Sequence, residues 1–272
     1  MTKMKLIDEK KQVLENDLRS MGKVLVAFSS GVDSAFLLKT AHDVLGDQAV
    51  AVTARGDFFP DWETQEAVSF CERENIRLIL TDVDPLCNED IACNPPDRCY
   101  FCKSMIFRSF RKMAQELGIS FVVDGTNADD VGDYRPGLRA LDELQIVSPL
   151  KNAGLSKQEI RILSKAAGLP TWDKPSYACL ASRLEYGEMI TKEKLFMVER
   201  AEQVLMDLGF SQIRVRVHGR LARIELEPGE IGRFLEPEIR GRVSRALHDL
   251  GFLYVSLDLD GYQTGSMNSA LF

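Results

Sequence analysis

Ser29-Ser-Gly-Val-Asp-Ser34 follows a short apolar run, Val24-Leu-Val-Ala-Phe28, and leads straight into a helical pattern read from Val32 to about Leu45. Ser29, Ser30 and Gly31 let backbone amides come close to an anion, and a helix start adds unpaired N–H groups and a positive dipole end. Ser34 contributes a hydroxyl in the first turn. Asp33 beside phosphates implies that a divalent cation, Mg2+, mediates between them. The alternative is a plain strand-to-helix turn capped by serine. The Gly-Lys-Ser/Thr ending of the other common nucleotide loop is absent.

A second set of reactive residues is the pair of thiols in Arg98-Cys-Tyr-Phe-Cys-Lys103, with Cys179 far downstream in Lys174-Pro-Ser-Tyr-Ala-Cys-Leu-Ala-Ser-Arg183. A structural zinc site normally needs four ligands, and His42, His218 and His248 have no ligand-like spacing to the pair. Three thiolates suit an iron-sulfur cube with one open iron, whereas a lone CxxC suits a dithiol redox pair. Inert or zinc-bound thiols are the third option. Cys71 falls on an apolar helix position and reads as core; Cys87 and Cys93 lie in a loop and are candidates to join the metal site.

Charge supplies the remaining candidates. Asp124-Gly-Thr-Asn-Ala-Asp-Asp-Val-Gly-Asp-Tyr-Arg-Pro-Gly137 carries Asp124, Asp129, Asp130 and Asp133 beside Arg135, a mixture that suits Mg-ATP or, more blandly, Asp and Asn turn chemistry. Arg214 and Arg216 alternate, so they share one face of a strand. Two neighbouring guanidiniums repel unless they share an anion, usually phosphate, or each pairs with a carboxylate such as Glu225.

The elements that must position these residues read as two domains. Strand-like runs at Lys23–Phe28, Ala49–Thr53, Arg77–Thr81, Ser120–Asp124 and Gln145–Pro149 alternate with helical patterns, which predicts a parallel α/β sheet. Ligands of such a sheet sit at the carboxyl ends of its strands, which adds Ala54, Arg55 and Gly125 to the candidates. After Gly168-Leu-Pro-Thr-Trp-Asp-Lys-Pro175 the rhythm changes to a helix from about Thr191 to Leu208, strands at Ile213–His218 and Leu221–Leu226, two short helices and a strand at Phe252–Leu257. The expected domains are residues 1–184 and a smaller α/β domain, 185–272.

The 272 residues, 45% of them hydrophobic, can bury one large core or two modest ones. The balance of 41 carboxylates against 34 Lys plus Arg argues against bulk nucleic-acid binding while leaving room for small anions held by local arginines. No stretch approaches the roughly 20 apolar residues that span a bilayer, and the opening Met-Thr-Lys-Met-Lys is no signal core, so a cytoplasmic location is expected. Cysteines there serve as thiols, ligands or catalysts rather than disulfides.

The loop resembles the Ser-Gly-Gly-x-Asp-Ser pyrophosphate loop (PP-loop) of N-type ATP pyrophosphatases, with Ser30 in place of the first glycine. Serine has a Cβ, so a working loop is expected to hold Ser30 at negative φ. Together with Asp133-Tyr-Arg-Pro-Gly137, Ser182-Arg183, Tyr186-Gly187, Arg214-Val-Arg216, Ala222-Arg-Ile-Glu-Leu226 and Leu257-Asp-Leu-Asp-Gly-Tyr262, it makes nearly the whole chain, Met21 to Asn268, similar to the LarE family. These are ATP-dependent sulfur transferases that serve the nickel-pincer nucleotide cofactor of lactate racemase.

The resemblance implies an adenine nucleotide alpha hydrolase-like first domain and a second domain for substrate binding and oligomerisation. It implies adenylylation of a carboxylate on pyridinium-3,5-biscarboxylic acid mononucleotide, with ATP and Mg2+, and replacement of AMP by sulfur. Ser29, Ser30, Gly31, Ser34, Ala54, Gly125, Asp130 and Arg135 would hold ATP, Asp33 the Mg2+, and Arg214 and Arg216 the substrate phosphate, while Arg183 and Glu202 would line the sulfur-transfer site. The family's sacrificial cysteine falls here on Ala178, one residue before Cys179. The chain therefore looks like the version in which Cys99, Cys102 and Cys179 hold a [4Fe-4S] cluster that carries the sulfur. Arg233 stands where an acidic residue is expected. A homo-oligomer and other nickel-pincer biosynthesis proteins are the implied partners. The competing readings are a tRNA-thiolating enzyme of the same loop class, against which the missing basic surplus speaks, and a non-catalytic ATP-sensing module with redox or zinc thiols.

Overall fold

Four strands, β1 (Val24–Ala27), β2 (Ala49–Arg55), β3 (Leu78–Asp82) and β4 (Phe121–Val123), pair in the order β3-β2-β1-β4, every pair parallel. A computed structural model describes residues 3–130, 136–175, 177–263 and 266. The chain divides into two compact units: residues 1–83 with 99–177, and residues 84–98 with 178–272.

In the first unit the helices are α1 (Lys3–Met21), α2 (Val32–Leu45), α3 (Asp61–Arg73), α5 (Arg98–Glu116, after the short α4, Glu89–Ala92, of the second unit), α6 (Pro136–Glu143), α7 (Pro149–Asn152) and α8 (Lys157–Ala166). The side-chain period of two sorts the strands between two cores. Val24, Val26, Ala49 and Ala51 face Ile7, Leu14, Leu18, Phe36, Leu37 and Ile160, whereas Leu25, Val50 and Val52 face Phe107, Phe110, Ile119 and Leu141. Burial on both faces explains why β1 and β2 are nearly continuous apolar runs.

The fifth expected strand, Gln145–Pro149, does not form. Gln145 takes a left-handed turn, φ 53°, behind α6, and Pro149 opens α7. Between them the backbone makes only an isolated parallel bridge, Val123 to Val147. Ala54 and Arg55 are part of β2 rather than a loop after it, and Arg55 Nε donates to Asp82 Oδ1 at 2.7 Å.

The second unit holds β5 (Ile213–His218) antiparallel to β6 (Leu221–Leu226), and β6 parallel to β7 (Tyr254–Leu257). Helix α9 (Lys192–Asp207) packs against β5, and α10 (Ile231–Phe234) and α11 (Pro237–Asp249) complete the unit. The segment 84–98 is joined to it through the buried Asn94: its Nδ2 donates to the carbonyl of Glu185 at 2.6 Å, and its own carbonyl accepts the Gly187 amide at 2.8 Å. Among the described residues no helix is long and apolar enough to cross a membrane.

Candidate active site

The loop after β1 is closed by its own hydroxyls. Ser29 donates its amide to Ser34 Oγ at 3.2 Å, and Ser34 Oγ donates to the Gly31 carbonyl at 3.2 Å. Gly31 is the N-cap of α2 and brings no side-chain cap to the helix amides behind it. Gly125, just after β4, lies so close that a Cβ there would be 3.0 Å from the Ser34 nitrogen and 3.2 Å from its Cα. Only glycine allows the strand end to approach the loop this closely.

Ser30 overturns one expectation. It sits at φ 52°, in the left-handed region, although its side chain is buried. A left-handed residue other than glycine costs on the order of 1–3 kcal/mol, which its surroundings must offset. Lys174 Nζ donates to the Ser30 carbonyl at 3.0 Å and to its Oγ at 3.2 Å, and pairs with Glu66. The serine thus keeps the glycine geometry rather than avoiding it.

Asp33 pairs through Oδ2 with Lys157, while its Oδ1 is buried without a hydrogen-bond partner. Burial pushes its carboxyl above the ordinary value, more than Lys157 lowers it, and Asp130 adds to the rise. An orphaned hard oxygen beside a phosphate-type loop is a fitting Mg2+ donor, since Mg2+ takes one or two carboxylates and completes its shell with phosphates and water. The acidic segment divides its labour. Asp124 accepts from Ser148 Oγ at 2.6 Å and from Thr126, while Asp130 accepts the Asn127 amide at 2.9 Å and Asp129 the Lys157 amide at 2.8 Å. Turn chemistry is therefore part of what these carboxylates do. Asp133 and Arg135 lie outside the described residues.

Lys157, Lys174 and Glu66 were not among the sequence candidates. The signal for Lys157 was its place directly after Ser156, the N-cap of α8, where a cation opposes the helix dipole and so needs another partner. Lys174 carried no comparable signal beyond preceding Pro175.

Cys99 and Cys102 lie three residues apart in the first two turns of α5, on one helix face, both half-buried. Cys179, also half-buried, precedes a 3-10 turn, Leu180–Arg183, in the second unit. The soft donors fit an iron-sulfur group in chemistry, but among the described residues no three His, Cys, Asp or Glu are grouped to hold a metal ion. Cys71 is buried, its thiol pushed up to about 12. Cys87 and Cys93 are exposed in the 84–98 segment, Cys87 beside Asp84 at 3.2 Å.

In the second unit Arg183 is 1% exposed and meets Glu202 through two parallel bonds of 2.9 Å. Arg216 pairs with Glu225 at 2.8 Å across the β5–β6 ladder, and Arg223 reaches the same carboxylate at 3.1 Å. The carboxylate partner considered for the two arginines is thus present for Arg216. Arg214 Nη1 donates to the Ile213 carbonyl at 2.6 Å, and its guanidinium lies 5.0 Å from the Tyr262 ring centre. Burial, then the neighbouring Arg183, depress the basicity of Arg214, against the opposing influence of Glu202 and Tyr262. Gly261, at φ 70°, supports this corner, because a Cβ there would be 2.6 Å from the Leu226 carbonyl oxygen. Arg233 pairs with Glu230 at 2.8 Å and lies over Phe210, which gives it no metal-ligand role.

No family model matches the chain. An uncharacterized protein of Synechocystis sp. is 42% identical over 266 residues, covering 98% of this chain and 99% of that protein. The pyridinium-3,5-bisthiocarboxylic acid mononucleotide synthase of Lactiplantibacillus plantarum is 39% identical over 269 residues, 98% of this chain and 97% of that one. The glutamine-hydrolyzing GMP synthase of Brucella ovis is 29% identical over 213 residues, 68% of this chain and 40% of that longer protein.

Proposed function

Because the chain belongs to the LarE family of ATP-dependent sulfur transferases, we propose that it adenylylates a carboxylate of pyridinium-3,5-biscarboxylic acid mononucleotide and then replaces AMP with sulfur. The observation that carries this reading is the loop Ser29–Ser34, with uncapped α2 amides, the close approach of Gly125 and an orphaned Asp33 oxygen, in a chain that aligns end to end with a synthase named for the bisthiocarboxylic acid product.

In the first half-reaction the substrate carboxylate attacks the α-phosphorus of ATP and the α–β bridging bond breaks. Ser29, Ser30, Gly31 and Ser34 receive the departing pyrophosphate through their backbone amides, with the Ser34 hydroxyl beside them, and Gly125, Ala54 and Asp130 complete the nucleotide's surroundings; Arg135, outside the described residues, is a further candidate for holding ATP. Asp33 would hold Mg2+, which would supply neutralising charge on the phosphates. In the second half-reaction sulfur attacks the acyl carbon and AMP leaves. Arg214 and Arg216 grip the mononucleotide phosphate, and Arg183 with Glu202 fixes the backbone at Ala178 and Cys179. ATP chemistry is thus assigned to the first unit, residues 1–83 with 99–177, and substrate binding and self-association to the second, residues 84–98 with 178–272.

The sulfur source follows from Ala178 standing where a sacrificial cysteine would be. Cys99, Cys102 and Cys179 would ligate a [4Fe-4S] group, which would supply the transferable sulfur when bound. The test is an anaerobic incubation of the full chain with ATP, Mg2+, the biscarboxylic mononucleotide and sulfide. Pyrophosphate release that depends on the mononucleotide, with a product in which sulfur replaces one carboxylate oxygen, is expected. Pyrophosphate release driven instead by transfer RNA, or none at all, overturns the reading.

A further inference from the structure

A backbone cradle for phosphate works only if its N–H groups converge and its carbonyls point elsewhere. In this loop the Ser30 carbonyl is drawn off by Lys174 Nζ at 3.0 Å. The same ammonium reaches Ser30 Oγ at 3.2 Å, pairs with Glu66 and lies 5.1 Å from the centre of the Trp62 ring. Lys174 is itself held in place: Arg161 donates to its carbonyl at 2.8 Å and to that of Trp172 at 2.8 Å, and Pro175 restricts its backbone to extended forms. A glycine at position 30 would adopt the left-handed backbone without strain; Ser30, at φ 52°, does not.

We propose that Lys174 is a positioning residue for the phosphate loop, holding Ser30 in the left-handed conformation that turns the loop's amides toward ATP. The proposal rests on the reading that this loop binds the nucleotide's phosphates. Lys174 substitutes for the missing glycine: the bond to the Ser30 carbonyl offsets the strain that the serine Cβ brings. The dependence on Lys174 therefore belongs to the serine and disappears when position 30 needs no help.

The experiment is a double-mutant cycle on the full chain, with Mg-ATP affinity read by calorimetry and thermal unfolding followed without nucleotide. Lys174→Met should weaken ATP binding by about tenfold, the worth of a charge-assisted hydrogen bond, and raise KM for ATP while leaving pyrophosphate release at saturating ATP unchanged. Ser30→Gly alone should stay within about threefold of wild type, and adding it to Lys174→Met should restore affinity to within about threefold. Lys174→Arg, which keeps the donor, should bind nearly as wild type. A double variant as weak as Lys174→Met alone overturns the proposal, because Lys174 would then act on the nucleotide directly. Where Lys174→Met does not fold, Lys174→Gln with and without Ser30→Gly gives the same cycle. If the wild-type chain binds no Mg-ATP, the nucleotide reading itself falls; if it binds and the cycle shows no rescue, only the role of Lys174 falls.

Discussion

Arg183 and Glu202 face each other as a fork on a carboxylate, Nε to Oε1 and Nη2 to Oε2 both at 2.9 Å, and Glu202 Oε1 also accepts the Val215 amide at 3.0 Å. The same guanidinium donates to the carbonyls of Ala178 and Cys179. A carboxylate on α9 thereby fixes the turn that presents Cys179, through an arginine that is almost fully buried.

Removing one partner of such a pair leaves the other charge buried. Glu202→Ala is expected to destabilise the second unit by about 3–5 kcal/mol in denaturant unfolding. Loss of activity with unchanged stability would instead place Glu202 in direct contact with substrate.

Asp33 should show its burial as a pH effect in the metal-free protein. Its folded carboxyl titrates above the unfolded value, so at very low pH both states hold the proton and nothing is gained or lost. As pH rises through the folded value, the folded state takes on the cost of the buried charge and stability falls. Asp33→Asn should abolish that fall, be no less stable than wild type at neutral pH, and yet lose mononucleotide-dependent pyrophosphate release. Retained release would remove Asp33 from the Mg2+ site.

Arg216→Ala leaves Glu225 with Arg223 at 3.1 Å and Ser266 at 3.0 Å, so the fold should survive. If Arg216 also grips phosphate, calorimetry should show mononucleotide affinity falling by about 2 kcal/mol, roughly thirtyfold. Unchanged affinity would confine Arg216 to its ion pair with Glu225.

The thiols should separate by chemistry. Alkylation of metal-free protein at pH 8, read by mass spectrometry, should spare Cys71, whose thiol is pushed up to about 12, and label the exposed Cys93. After anaerobic reconstitution, about four irons per chain are expected, and Cys99→Ala, Cys102→Ala or Cys179→Ala should each lose iron and sulfur transfer while keeping adenylylation. Damage from Cys179→Ala alone would restore a sacrificial role for that residue.

The sequence by itself determined what is local. The Val32–Leu45 helix and both strands of the β5–β6 hairpin follow from period and punctuation, because each is set by neighbours a few residues apart, and the parallel sheet follows from the alternation of strand and helix signals. The small-residue loop and the arginine alternation were legible for the same reason. Tertiary structure alone decided what depends on distant partners. Lys174 reaches Ser30 across 144 positions, and Lys157 reaches Asp33 across 124. The Gln145–Pro149 run had strand-like residues, yet turns at both ends cut it short. Residues 84–98 joined the second unit through hydrogen bonds of Ala92, Asn94 and Arg98 to residues about 90 positions downstream, pairings that no periodicity encodes. Ser30 shows the difference most plainly: its side chain argued for negative φ, and a lysine brought close only by folding made the opposite backbone affordable.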